Sequence, residues 1–209
     1  PILHLWRHER AFVLGLRDSR LPRAAEAMEW LEREEGYRVM VRNSGGTAVP
    51  LDFGVVNVTL IRRGEAGRFD LSADFRSMAG LLADSLALFG VVFDVGEISG
   101  SYCPGEFDLS IGGRKFCGLA QRRQLHAYAV QAFVNAEGDS AARAAVVREF
   151  YRRAGGSEEV GGSDHEAKPS ESHFAVTGAV AAPLDVRPGV MGSLTELKSG
   201  FPGAEAWME

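Results

Sequence analysis

The sequence predicts an α+β fold in which a mixed, mostly antiparallel sheet is flanked by helices. Three observations predict it. Residues 55–62 and 125–136 are rich in Val, Ile, Thr, Phe and Tyr, the composition of half-buried strands. Leu71, Phe75, Met78, Leu82 and Leu86 recur at helical spacing. Gly112-Gly113 joins two strand-like runs, as a tight antiparallel hairpin requires. The patterns come in blocks of strands separated by helices, which favours antiparallel neighbours with the helices on one side.

The elements follow in order. Residues 2–7 and 11–17 read as short strands around a His8-Glu9-Arg10 turn. Residues 18–22 form a turn, and Pro22 presets a helix start. Residues 23–35 are an amphipathic helix with Ala24, Met28 and Leu31 on one stripe and Gly36 closing it. Residues 37–42 alternate as a half-buried strand, interrupted by Asn43-Ser44-Gly45-Gly46, and a strand resumes at 55–62. Residues 70–90 form a helix capped by Asp70 or Ser72, and its apolar stripe reads as core packing rather than a ligand box. A hairpin over 107–111 and 115–121 precedes a long strand at 125–136 and a helix at 140–154. Residues 155–183 are rich in Gly, Ser, Glu and Ala without periodicity and read as a flexible surface excursion. Residues 188–199 read as a short last helix and 200–209 as a tail, so one catalytic-sized domain occupies 1–199.

Composition narrows the function. Apolar residues at 45% and charged residues at 24% describe an ordinary globular domain. A net charge of −5 without a long basic block argues against nucleic-acid binding. No apolar run is long enough to span a membrane, and no signal peptide is visible. The two cysteines do not form a secreted disulfide framework, so a cytoplasmic location is expected. The five scattered histidines show no metal-ligand spacing, and no metal is expected.

The chemistry concentrates in residues 101–123. Cys103 lies in a turn forced by Pro104-Gly105, and Lys115 follows just past the Gly-Gly turn. A thiolate is a nucleophile for acyl transfer, and a nearby cation makes it available at neutral pH. The competing reading of Cys103 is a buried, inert thiol, and that of Lys115 a surface lysine. Arg114 and Lys115 are strand neighbours and point to opposite faces. Cys117, between Phe116 and Gly118 in a strand, reads as a small core residue. The paired glycines of the 42–48 segment permit close backbone approach to a ligand, or simply a tight connection. Asp52 and Gly54 make a second turn, with Asn57 just inside the next strand. No phosphate loop or dinucleotide fingerprint is present, and nothing supports a Cys-His pair with His8 or His126.

Together the stretches LHLWRH (3–8), VRNSGGTAV (41–49), LDFGVVNVTL (51–60), GSYCPGEFDLSIGGRKFCGLAQRR (100–123) and REFYRR (148–153) resemble the lipoate–protein ligase and octanoyltransferase superfamily. VMGSLTEL (190–197) matches more weakly. Within the superfamily they resemble the branch of octanoyl-[glycine-cleavage H protein]:protein N-octanoyltransferases. The resemblance implies a biotin/lipoyl ligase catalytic-domain fold. It implies that Cys103 carries an acyl-thioester intermediate with Lys115 favouring its thiolate. It places Arg42, Ser44, Gly45 and Gly46 along the acyl pocket, with Gly118 and Gln121 opposite. It implies a glycine-cleavage H protein as octanoyl donor, lipoyl domains of 2-oxoacid dehydrogenases as acceptors, and no cofactor. Relatives usually carry a segment before the Leu-Trp-Arg-His stretch, and here one is expected before Pro1. After Arg123 the chain departs from the pattern, with His126, Ala127 and Tyr128 where relatives have small residues. The alternatives are an ATP-dependent lipoate–protein ligase, an octanoyltransferase fed by an acyl-carrier protein, and a non-catalytic module that binds lipoyl domains. Arg122 and Arg123 are candidates for a basic docking patch.

Overall fold

The computed structural model describes residues 1–64, 70–155 and 184–209. The elements run β1 (Ile2–Trp6), β2 (Arg10–Leu14), α1 (Ala24–Arg33), β3 (Arg38–Val41), β4 (Val49–Asp52) and β5 (Val55–Arg63). Then come α2 (Leu71–Ala87), β6 (Asp94–Val95), β7 (Leu109–Ile111), β8 (Arg114–Arg123) and β9 (Ala127–Asn135). Helices α3 (Ser140–Gly155), α4 (Leu194–Leu197) and α5 (Ala204–Met208) complete them.

The strands form two sheets rather than one. A six-stranded antiparallel sheet has the order β1-β5-β9-β8-β7-β6, and a three-stranded sheet the order β3-β2-β4. β1 and β2, adjacent in sequence, are therefore separated. β1 is a largely exposed edge strand on β5, whereas Ala11, Phe12 and Leu14 of β2 are fully buried. β2 is the central strand of its sheet, hydrogen-bonded along one edge to parallel β3 and along the other to antiparallel β4, so its backbone can be buried without unpaired groups. The helices divide accordingly, instead of sharing one side. Helices α1 and α3 belong to the small sheet's core with Phe12, Leu31, Phe150 and Tyr151. Helix α2 covers the large sheet with Met78, Leu82 and Leu86 against Val58, Val130 and Val134.

Local signals explain the element ends. Gly36 adopts φ 68°, a left-handed stop after α1. The Asp70 carboxylate accepts a hydrogen bond from Ala73 N–H at 2.8 Å and caps α2. Gly112 and Gly113 both have positive φ, which a two-residue hairpin of the favoured twist requires.

The C-terminal elements differ from expectation. Residues 188–199 do not form one helix. Pro188 opens a single 3₁₀ turn, Met191 makes a parallel bridge to Lys115, and α4 starts afresh from a Ser193–Glu196 capping box. Gly189 and Gly192 break helical continuity, and the fully buried Met191 gains more from the core than from a helix. The expected tail carries α5: Phe201 and Ala204 are buried, and Trp207 Nε1 donates to Ser85 Oγ at 2.9 Å. Gly155 ends α3, and the rest of the expected excursion lies outside the described residues.

Candidate active site

The Pro-Gly turn places Cys103 in the left-handed region, at φ 48°. A residue with a Cβ is strained there, so the surroundings must hold it. The Lys115 ammonium does so. It is fully buried and donates to Cys103 O at 2.6 Å, Tyr102 O at 2.9 Å and Ser101 Oγ at 3.4 Å. The Asp108 carboxylate, 1% exposed, pairs with it at 2.9 Å. Burial pushes the Asp108 carboxyl above its usual range, offset in part by the Lys115 charge and the Gly105 N–H. Asp108 went unnoticed in the sequence. Its one signal is a carboxylate at the mouth of an otherwise apolar hairpin.

Lys115 reaches the loop because of a β-bulge. Register along β7–β8 pairs Leu109 with Cys117 but Ser110 with Lys115, so Phe116 is the extra residue. A bulge of this kind puts two successive side chains on one face. Phe116 and Cys117 both enter the core under α2, and Lys115 and Gly118 share the opposite face. Simple alternation would have turned Lys115 away from Gly118. Cys117 is fully buried, as its position predicted, and burial pushes its thiol up.

Arg42 reaches Cys103 from the other side. Its Nη2 donates to Thr47 O at 2.6 Å and to Cys103 Sγ at 3.3 Å. Gly46, at φ 90°, abuts both: a Cβ there would stand 2.6 Å from Arg42 Nη2 and 2.7 Å from Sγ. This glycine is therefore required by contact as well as by backbone angle. The loop is anchored behind by a buried network. Ala48 N–H donates to Tyr151 Oη at 3.2 Å, and Tyr151 donates to Asp18 Oδ1 at 2.9 Å. Asp18 Oδ2 in turn accepts from Gly15 N–H at 2.8 Å.

Cys103 opens into a cavity of about 260 Å³ between the two sheets. Trp6, Val13, Met40, Val49, Leu51 and Phe133 make most of it apolar. Arg42, Ser44 and Gly118 line it as expected. Asn57 Nδ2 and Arg42 Nε are buried without a hydrogen-bond partner among the described residues. Gly45 is exposed, and its nearest neighbour across the loop is the Gln121 carbonyl, 4.0 Å from where a Cβ would lie.

Gln121 is the expected site residue that the structure removes. It pairs with Val130, whose side chain is in the α2-facing core, so Gln121 faces away from the cavity. The bulge is again the reason, because it resets which residues of β8 share the cysteine's face. The two arginines that follow also separate. Arg122 donates to Asn43 O at 3.0 Å on the cavity side, and Arg123 pairs with Asp74 of α2. Among the described residues there is no cluster of His, Cys, Asp and Glu that could hold a metal, and no helix long and apolar enough to cross a membrane.

Residues 1–166 match the lipoyl protein ligase A/B catalytic domain. The chain is 43% identical over 196 residues to an octanoyl-[GcvH]:protein N-octanoyltransferase of Geobacillus kaustophilus strain HTA426, covering 94% of this chain and 62% of that one. It is 37% identical over 192 residues to a lipoyl-[GcvH]:protein N-lipoyltransferase of Listeria monocytogenes, covering 92% and 62%. The chain thus spans about three-fifths of the length of these relatives. Among solved structures, lipoate-protein ligase A bound with ATP aligns with a TM-score of 0.58 at 25% identity, covering 69% of this chain and 57% of that one. A bipartite ligase from Thermoplasma acidophilum, solved with its E2 lipoyl domain, aligns with a TM-score of 0.55 at 25% identity, covering 69% and 52%. The architecture, the cysteine loop and these similarities agree, and the chain belongs to the lipoyl protein ligase A/B catalytic-domain family.

Proposed function

We propose that this chain is the catalytic domain of an octanoyltransferase. It moves an octanoyl group from a lysine of the glycine-cleavage H protein to a lysine of a lipoyl domain, through a thioester on Cys103. The observation that carries the reading is Cys103 Sγ at an apolar cavity with a guanidinium against it. Relatives over most of this chain are named for octanoyl and lipoyl transfer from the same donor class.

The chemistry follows from the site. The Cys103 thiolate attacks the amide carbonyl of the donor's acyl-lysine. The carbonyl oxygen becomes an oxyanion, for which the unpartnered Arg42 Nε–H is an available donor. The C–N bond breaks as the leaving lysine takes a proton, and Lys115 is the ammonium nearest the loop. To deliver that proton Lys115 must release the Cys103 carbonyl. The acceptor lysine then attacks the thioester, passes its proton back, and the thiolate leaves. Both end states are amides, so the exchange is close to thermoneutral and calls for no nucleotide. The apolar walls hold the chain at about 0.8 kcal/mol per buried methylene.

The test is the choice of donor. Octanoyl-H protein is expected to label a lipoyl domain by mass, whereas octanoate with ATP and an octanoyl carrier-protein thioester are not. Labelling that needs ATP would replace this reading with the ligase, and labelling only from the thioester would replace it with the carrier-protein-fed enzyme. Binding of a lipoyl domain without turnover from any donor would leave a binding module.

Gly118 offers a handle on chain length. A Cβ there would stand 2.5 Å from Phe133 Cε1, and Phe133 stacks on Tyr102 at 5.6 Å between centroids. In Gly118→Ala the ring has to turn into the cavity it lines. Octanoyl transfer is expected to fall about tenfold or more relative to butyryl transfer, since each methylene in a pocket discriminates on this scale. Competition between the two donors measures it, and an unchanged ratio contradicts this placement of the chain.

A further inference from the structure

We infer that Asp18 and Tyr151 are positioning residues for acyl transfer: with Gly15 they clamp the 44–48 loop from behind and so set where that loop meets the cavity. The inference rests on the proposed transfer reaction, and it gives a role to two side chains that do not line the cavity.

The loop's own sequence does not fix it. Residues 43–47 form neither helix nor strand, and Gly45-Gly46 leaves the backbone a choice of conformations. Its place nevertheless has little tolerance, since a Cβ on Gly46 would stand 2.6 Å from Arg42 Nη2. The contacts that hold it come from behind. Arg42 N–H donates to Leu14 O at 2.9 Å where the loop begins. Ala48 N–H donates to Tyr151 Oη at 3.2 Å where it ends. Tyr151 donates onward to Asp18 Oδ1 at 2.9 Å, and Asp18 Oδ2 accepts from Gly15 N–H at 2.8 Å. Between the two ends the Gly46 carbonyl rests on Gly15, where a Cβ would stand 2.2 Å from Gly46 O.

The clamp joins three places in the chain. Gly15 follows β2, Asp18 opens the 3₁₀ turn at 18–20, and Tyr151 belongs to α3. Tyr151 lies in the 148–153 stretch, none of whose residues lines the cavity. Asp18, Tyr151 and Ala48 are all buried, so water does not compete for these bonds. The Tyr151 ring packs on Phe150 at 5.2 Å between centroids, a contact that survives loss of the hydroxyl. Carboxylate and hydroxyl therefore act on the loop, and the loop acts on the substrate. A misplacement of about 1 Å at a reacting centre can cost about a hundredfold in rate.

The experiment compares Tyr151→Phe, Asp18→Asn and the double variant with the parent in kcat, in KM for the acyl donor and in amide exchange by NMR. Rates use whichever acyl donor labels the parent, so a different donor replaces the proposed function and leaves the clamp standing. The exchange measurement needs no substrate. Each single variant is expected to lose about tenfold in kcat, with KM changed less than about threefold. Exchange is expected to quicken at residues 44–47 while β5 and β9 keep the parent's protection. The double variant is expected to lose little beyond the worse single one, because both residues act through one chain of hydrogen bonds. An unchanged kcat in both single variants, or losses that multiply in the double variant, overturns the inference. Failure to fold, or exchange quickened throughout the molecule, would show a purely structural role and also overturn it.

Discussion

Cys103→Ala is expected to keep the fold and to lose octanoyl transfer by about 10³-fold or more. The sulfur is the atom that would bond the acyl carbon; the hydroxyls that also line the cavity, Ser44 and Thr59, are far weaker nucleophiles than a thiolate. Tyr102 is held as a phenol, and Lys115 is tied to backbone oxygens and Asp108. Alanine has the same Cβ as cysteine, so the left-handed backbone at 103 is no more strained than before. Loss of activity would therefore report chemistry rather than unfolding, and an unchanged thermal melt checks this. Cys117→Ala removes one sulfur from the core under α2, on the sheet face away from the cavity, and is expected to retain transfer. Intact-protein mass after incubation with donor is the measurement. An octanoyl adduct on Cys103→Ala, or transfer lost in Cys117→Ala alone, would overturn the assignment.

The largest effect on stability is expected from Lys115→Met. Methionine fills the space but leaves the Asp108 carboxylate buried without its cation. Breaking one half of a buried pair costs about 3–5 kcal/mol. Two features of the loss identify its cause. First, Asp108→Asn added to Lys115→Met is expected to recover part of it, because no charge remains to be buried. Second, the loss is expected to shrink in acid. Burial raises the Asp108 carboxyl, and removing Lys115 removes the main influence that lowers it. A carboxyl raised in the folded state binds its proton more tightly there than in the unfolded chain. The stability this gives is fully present below the ordinary carboxylate range and is lost as pH rises through the folded value. Urea midpoints for parent and variant at pH 4 and pH 7 test this. A deficit equal at both pH values would place the cost in packing.

Much of the site was legible in the sequence because its chemistry depends on residue types that are costly elsewhere. A Pro-Gly turn after a cysteine, a Gly-Gly hairpin and an Asn-Ser-Gly-Gly loop are strong local signals, since each restricts the backbone by itself. The structure brings Cys103, Arg42, Ser44 and Gly118 to one cavity, with Gly46 against Arg42 and Cys103 and Lys115 buried behind the cysteine loop. Asp108 gives little signal of its own in the sequence, and the resemblance places Gln121 at the pocket, whereas its pairing with Val130 turns it to the α2 side. The bulge leaves no clear mark in Arg114–Arg123, because it arises from pairing with β7. The split of β1 and β2 between two sheets was equally hidden. Both read as short apolar strands, and only their partners tell them apart.

The sequence by itself determined the element types, the α+β class, the nucleophile candidate and the glycines that open the site. Local backbone preference and hydrophobic period carry that information along the chain. The tertiary structure decided which groups meet the cysteine loop and from which side. Sequence proximity placed Lys115 beside Cys103, across one hairpin. The bulge and the Asp108 pair turn that lysine onto the loop's carbonyls, and Arg42, distant along the chain, brings its guanidinium to Sγ. A hydrogen bond depends on angle and distance at the ångström scale, and only the assembled sheets fix those.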